Sequence, residues 1–218
     1  MADWRTDVYV QITTRCNMTC EHCCMRATAK GVDMDRRVFL EAMKMAESYG
    51  HCITIGGGEP TIHPLLFDFI GIALAHSDYQ QVHIITNGKI SSSAYRLAKM
   101  ARAGFLGCDL SRDPWHDAID PRVVEAFTQG KDKYGSDARD LRGIRTVTSI
   151  LPVGRALDNG MGTENGCACD DLFVSPDGKL WACGHQEQQF GTVFDPDIDE
   201  DFESGSCSHD FSLEEVAA

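Results

Sequence analysis

Short apolar segments alternate along this chain with segments whose apolar residues recur at helical spacing. Strands are predicted at 8–13, 52–55, 82–86, 105–110 and 145–151, and helices at 35–49, 65–76, 92–103 and 121–129. Such alternation implies a parallel α/β sheet with right-handed crossovers. The loop after each strand then lies at one edge of the sheet, where proteins of this class carry their functional residues.

Composition limits the class of protein. A length of 218 residues with 43% apolar content suits one ordinary domain and a small appendage. The sequence has no apolar run of about 18 residues and no apolar segment near Met1, so a cytoplasmic location without membrane contact is expected. The net charge is −13, yet residues 122–155 are locally basic, which fits either a phosphate-binding surface or a solvated helix face.

The loop after the first predicted strand carries Cys16, Cys20 and Cys23 in a C-x3-C-x2-C pattern. Soft thiolate ligands select zinc, copper or iron–sulfur clusters. A structural zinc site usually has four protein ligands, whereas three cysteines on a four-iron cluster leave one iron open. An iron–sulfur cluster is therefore favoured, with part of a zinc site as the alternative. Cys24, Cys52 and Cys108 are predicted to be small buried residues.

This loop, at the end of a first strand, resembles the signature of radical S-adenosylmethionine (SAM) enzymes. The resemblance implies an open partial (β/α) barrel of five to six parallel strands over residues 1–156, with SAM bound across its top. It also implies a [4Fe-4S] cluster whose open iron binds the amino and carboxylate groups of SAM. One electron then cleaves SAM to methionine and a 5′-deoxyadenosyl radical, which abstracts a hydrogen atom from the substrate.

Further SAM-binding residues are expected from the resemblance. Gly57, Gly58 and Glu59 match the element that holds the SAM ammonium, although glycines also suit a simple turn. The other matching positions are His22 (adenine, through its backbone), Asn87 (a polar residue near SAM), Ser111 (ribose) and Arg155 (SAM carboxylate). For Asn87 a common Asn-Gly turn, and for Arg155 a surface salt bridge, remain alternatives.

Three side chains after the fourth strand are candidates for catalysis. Asp113, Trp115 and His116 lie at the same predicted edge and would face the substrate. An acid or an imidazole there could position the substrate or transfer a proton.

The remaining residues, 157–218, are predicted to form a small cysteine-rich extension. Apolar segments flanking Ser175-Pro176-Asp177-Gly178 predict a β-hairpin. The cysteine spacing resembles the SPASM and twitch auxiliary-cluster domains, in the shorter twitch-like form. The resemblance implies a second [4Fe-4S] cluster, with zinc as the alternative, on Cys167, Cys169, Cys183 and Cys207.

The leading functional hypothesis is thus a radical SAM enzyme, of oxidoreductase or isomerase type. Its substrate would be a small molecule, an amino-acid-type group, a peptide or a nucleobase in nucleotide or DNA. A small electron donor such as flavodoxin or ferredoxin would reduce the cluster. The alternative is a non-catalytic iron–sulfur or zinc protein that acts as a redox sensor or interaction module.

Overall fold

One mixed β-sheet runs through the chain. The computed structural model describes residues 6–76, 81–130, 139–147, 150–162, 171–186 and 188–198. Its strands are β1 (Thr6–Thr13), β2 (Gly50–Gly57), β3 (Gln81–Thr86), β4 (Gly107–Ser111), β5 (Arg142–Arg145), β6 (Asp171–Val174), β7 (Lys179–Trp181), β8 (Gln189–Thr192) and β9 (Asp195–Pro196). Its helices are α1 (Arg36–Tyr49), α2 (Leu66–Ala75), α3 (Ser91–Arg102), α4 (Pro121–Thr128) and α5 (Gly154–Asp158), with a 3₁₀ turn at Pro60–Ile62.

The first six strands form the parallel part of the sheet. The strand order is β5-β4-β3-β2-β1-β6-β7-β8-β9, and each of the five pairings from β5 through to β6 is parallel. In the described residues β5 and β9 are the two edges, so the sheet is open. The predicted α/β architecture of an open partial barrel with five to six parallel strands is confirmed.

The core lies between this sheet and its helices. On β1, Val8, Val10 and Ile12 are fully buried, as expected for residues that share one face of a strand. Phe39 of α1 stacks on Phe69 of α2 with ring centroids 4.1 Å apart. Each such side chain contributes about 1.5–3 kcal/mol by leaving water. This packing fixes the strands whose carboxyl ends carry the candidate site.

Two sequence predictions were wrong. The fifth strand is Arg142–Arg145 rather than 145–151, and no strand is assigned to the described residues between 146 and 151. A strand that starts with arginine breaks the apolar pattern. The guanidinium of Arg142 can nevertheless be buried, because its Nη2 donates hydrogen bonds to Oδ2 of Asp140 at 2.5 Å and to the carbonyl of Gln129 at 3.1 Å. Cys24 is exposed rather than buried, whereas Cys108 is buried as predicted and Cys52 is intermediate.

The predicted C-terminal hairpin is confirmed. β6 pairs with β7 in antiparallel fashion, and the turn is closed by a hydrogen bond from Ser175 N to the carbonyl of Lys179 at 3.0 Å. β6 also pairs with β1 in parallel, so the hairpin continues the same sheet. The proposed division between residues 156 and 157 remains a prediction.

Candidate metal centre and cofactor site

The three signature cysteines come together in the loop after β1. Cys16 is buried with Met18 and Ala27, and Cys20 and Cys23 pack against that cluster. The loop is anchored by a hydrogen bond from Cys16 N to the carbonyl of Thr28 at 2.8 Å. Burial raises the pKa of the Cys16 thiol. The pKa of Cys20 is raised to about 11, mainly by burial and to a smaller extent by the nearby thiols of Cys16 and Cys23.

This donor set fits an iron–sulfur cluster. Three soft sulfur atoms share a partly apolar pocket, which suits a cluster that keeps one iron free of protein ligands. Cys16 Sγ also accepts hydrogen bonds from Met18 N at 3.4 Å and from Asn87 Nδ2 at 3.8 Å. Such donors stabilise negative charge on a cluster and its ligands.

Gly57 and Gly58 let the end of β2 lie directly against the end of β1. A Cβ atom at Gly57 would come within 2.3 Å of the Thr13 carbonyl oxygen, and one at Gly58 within 2.2 Å of the Arg15 carbonyl oxygen. Hydrogen bonds of 2.9 Å run from Gly58 N to Thr13 O and from Glu59 N to Arg15 O. The two glycines are therefore required by close backbone approach beside the cysteine loop.

Glu59 is buried at the centre of a hydrogen-bond network. Oε1 accepts bonds from Thr61 N (3.0 Å), Thr61 Oγ1 (2.5 Å) and Thr86 Oγ1 (2.8 Å), and Oε2 accepts one from Asn87 N (2.6 Å). Burial raises the pKa of Glu59, while these donors act in the opposite direction. The carboxylate thus ties the end of β2 to the end of β3, a role that the sequence alone did not indicate.

Asn87 connects Glu59 to the cysteine loop. Its backbone N–H binds Glu59, and its Nδ2 donates to Asn17 Oδ1 at 2.9 Å as well as to Cys16 Sγ. The predicted polar residue therefore lies beside Cys16, a predicted cluster ligand.

The predicted catalytic side chains gather at the end of β4. Asp113 Oδ1 accepts hydrogen bonds from Trp115 N at 3.0 Å and His116 Nδ1 at 2.8 Å. The ring of His22, from the cysteine loop, lies 5.3 Å from Trp115 and 5.1 Å from His116 between centroids. Ser111, Asp113 and His116 line a cavity of about 340 Å³. Burial lowers the pKa of His22.

Arg155 contacts the cysteine loop. Its Nη1 donates to the carbonyl of Cys20 at 2.9 Å, its Nη2 donates to the carbonyl of Ala27, and its backbone N–H binds the carbonyl of Cys23 at 2.8 Å. Pairing of Arg155 with the SAM carboxylate remains a prediction.

Two further residues of this segment hold the cysteine loop. Asn159, which sequence reasoning missed, adds a hydrogen bond from Nδ2 to the Glu21 carbonyl at 2.9 Å. A Cβ at Gly154 would come within 2.1 Å of the Cys24 carbonyl oxygen, so the glycine was a usable signal for this close contact.

Of the four predicted auxiliary ligands, the structure describes one. Cys183 is buried, with Sγ 3.5 Å from Nδ1 of His185. Cys167, Cys169 and Cys207 lie outside the described residues. The auxiliary cluster therefore stays a prediction.

The fold and site define a class: a parallel α/β protein with three thiols, suited to binding a metal cluster, on its first strand-to-helix loop. The family model of the radical SAM superfamily matches residues 10–119, and the chain belongs to that superfamily. Its cofactors are accordingly a [4Fe-4S] cluster and SAM. In the described residues, no helix is both long enough and apolar enough to cross a membrane.

The chain is also similar to individual known proteins. The tungsten-containing aldehyde ferredoxin oxidoreductase cofactor-modifying protein of Pyrococcus furiosus is 40% identical over 68 residues, which cover 29% of this chain and 19% of that protein. BtrN, solved with AdoMet and 2-DOIA, superposes with a TM-score of 0.63 at 17% identity, covering 89% of this chain and 80% of BtrN. Native anSMEcpe, solved with AdoMet and the Cp18Cys peptide, gives 0.55 at 15% identity over 88% and 78% of the two chains. At these identities the superpositions support the fold alone.

Proposed function

We propose that this chain is a radical SAM enzyme that abstracts a hydrogen atom from a substrate carbon, with Cys16, Cys20 and Cys23 as the cluster ligands. The observation that carries the proposal is the hydrogen-bonded path from Glu59 through Asn87 to Cys16, which joins the predicted SAM-binding residues to the three-thiol loop. A [4Fe-4S] cluster held by Cys16, Cys20 and Cys23 would supply the electron for the reductive cleavage of SAM.

The protein's residues then bind and orient SAM. In our proposal the carbonyls at Gly57 and Gly58 and the Glu59 carboxylate accept hydrogen bonds from the SAM ammonium. The His22 backbone contacts the adenine and Ser111 contacts the ribose. Arg155 supports the loop through the Cys20 and Ala27 carbonyls, so that the cluster ligands keep their spacing.

The substrate is proposed to bind in the cavity at the end of β4. There Asp113 and His116, which line the cavity, would contact it, and Trp115 next to them in the chain would help to exclude water. A volume of about 340 Å³ suits a small molecule or a single side chain of a peptide. BtrN and anSMEcpe, solved with 2-DOIA and with a peptide, illustrate both possibilities. Net oxidation and rearrangement are both compatible with the site.

A nucleobase in DNA is less well supported. Within the basic stretch 122–155, Arg142 is buried against Asp140 and Arg122 pairs with Asp120, so these two arginines already have carboxylate partners. We further propose a flavodoxin or ferredoxin as electron donor and a cytoplasmic location.

Turnover of SAM tests the proposal against the alternative of a non-catalytic redox sensor or zinc protein. The chain is reconstituted anaerobically with iron and sulfide and given dithionite and SAM, and 5′-deoxyadenosine is quantified by chromatography. We expect formation by the wild type and by C24A, whose side chain is exposed, and none by C20A. A cluster-loaded wild type that makes no 5′-deoxyadenosine, with or without candidate substrates, would favour the sensor.

A further inference from the structure

Two distant parts of the chain bring His22, Asp113 and His116 together. His22 belongs to the cysteine loop, whereas Asp113 and His116 follow β4. One donor atom from each of the three side chains lies within 4.8 Å of the others. Asp113 Oδ1 is 2.8 Å from His116 Nδ1, and Asp113 Oδ2 is 3.7 Å from His22 Nε2. Two imidazoles and a carboxylate therefore surround one small space.

Two polar atoms in this group have no hydrogen-bond partner among the residues that the structure describes. In the described part of the chain, neither Asp113 Oδ2 nor His22 Nδ1 is hydrogen-bonded, although both atoms are buried. The Asp113 side chain is 0% exposed and that of His22 is 10% exposed. Unpartnered buried polar atoms are rare and point to a ligand, ion or water that completes the site. A buried carboxylate in particular is normally paired or bound to a metal.

An Asp–His pair by itself does not account for this arrangement. A carboxylate that only orients His116 needs Oδ1, which already accepts the bond from His116 Nδ1 and another from Trp115 N. That explanation leaves Oδ2 of Asp113 and the nearby ring of His22 without a role. A cation between the three side chains would use Oδ2 and one nitrogen of each ring.

We propose that His22, Asp113 and His116 bind a divalent first-row transition ion, such as Fe²⁺, Mn²⁺ or Zn²⁺, separate from the iron–sulfur cluster. Two histidines and one carboxylate suit such borderline ions and leave coordination positions open. Asp113 and His116 line the cavity described above, so an oxygen or nitrogen atom of the substrate could occupy an open position. That role for the ion rests on the proposed function, whereas binding of the ion does not.

Manganese binding to the cluster-loaded protein tests the site. Untagged holoprotein is freed of loosely bound metal by anaerobic gel filtration and titrated with Mn²⁺, and free Mn²⁺ is measured by its EPR signal. We expect one tightly bound equivalent in the wild type and at least tenfold weaker binding in D113N and in H116Q. The matched control is H83Q, because His83 Nε2 lies 3.3 Å from Asp109 Oδ2 in another His–Asp pair that is partly exposed; its binding should equal that of the wild type.

The Mn²⁺ titration can fail or succeed independently of the test of the proposed function. Absence of a stoichiometric site, or Mn²⁺ binding that is the same in D113N and H116Q as in the wild type, would overturn the proposal. Circular dichroism and cluster absorbance identify a variant that fails to fold, and the other of the two variants then decides. Formation of 5′-deoxyadenosine is measured on the same wild-type sample, so metal binding and SAM cleavage can each fail while the other succeeds.

Discussion

Oε2 of Glu59 accepts a hydrogen bond of 2.6 Å from the backbone N–H of Asn87, and Asn87 in turn reaches Cys16 through Nδ2. A residue at the end of β2 is thereby connected through the end of β3 to Cys16, a proposed cluster ligand on the loop after β1. The carboxylate both shapes the sheet edge and lies where the SAM ammonium is expected.

Substitution E59Q tests this double role. The amide –NH₂ cannot accept the hydrogen bonds that the carboxylate accepts, and a buried donor without a partner costs about 1–3 kcal/mol. We expect the Kd for SAM to rise at least tenfold, about 1.4 kcal/mol, and 5′-deoxyadenosine formation to fall. Equilibrium binding of SAM to the cluster-loaded protein measures this. E125Q is the control because Glu125 is exposed, and equal SAM affinity in E59Q and E125Q would contradict the prediction.

Substitution N87A removes an N–H donor from the sulfur of Cys16. The donor stabilises the more negative, reduced cluster, so its loss should lower the reduction potential. We expect a decrease of about 20–60 mV, the one-electron equivalent of a typical hydrogen bond. A redox titration followed by EPR of the reduced cluster measures the shift. S92A, at an exposed position on α3, should leave the potential unchanged, and a potential that rises in N87A would refute the assignment.

Arg155 should determine how well the cysteine loop retains its cluster. R155A loses the two guanidinium bonds to the Cys20 and Ala27 carbonyls, each worth about 1.5–3 kcal/mol for a charged donor. We expect faster loss of iron under a chelator, with R155K intermediate because a lysine lacks the planar fork. R26A is the matched control. It breaks the exposed ion pair between Arg26 and Asp158, and Asp158 lies on α5 like Arg155. Equal rates of iron loss in R155A and R26A would argue against the support role.

Cys183 tests the auxiliary cluster. If it binds a second [4Fe-4S] cluster, C183A should lower the iron content of reconstituted protein from about eight to about four atoms per chain. Iron and zinc are measured by mass spectrometry of the metal, with C24A as the control. Unchanged iron in C183A would remove Cys183 from the ligand set, and loss of zinc instead of iron would indicate the zinc alternative.

The raised pKa of Cys20, about 11, predicts a pH dependence for the cluster-free protein. Burial disfavours the thiolate, so the unfolded chain ionises first, near 9.0, and the folded state loses stability as pH rises from there to about 11. Alkylation of Cys20 by iodoacetamide, followed by peptide mass spectrometry, should reach half its maximal rate near pH 11. The same thiol in urea serves as the reference. A half-maximal rate at pH 9 or below in the folded protein would contradict this pKa.

The sequence alone predicted most of the elements and placed the three cysteines of the proposed metal centre on one loop. Helical and strand periodicities are local properties, and the loop with Cys16, Cys20 and Cys23 follows a strand in the sequence itself. The parallel sheet followed from the order of those elements. The exception, the start of β5 at Arg142, depends on a pairing with Asp140 that apolar patterning does not reveal.

The tertiary structure alone decided which side chains meet. Arg155 reaches the Cys20 carbonyl across 135 residues of sequence, and Asn87 reaches Cys16 across 71. His22 meets Asp113 only because the cysteine loop and the loop after β4 share one edge of the sheet. Contacts of this kind arise from the packing of the whole domain, since no local pattern of residue types encodes the distance between two loops.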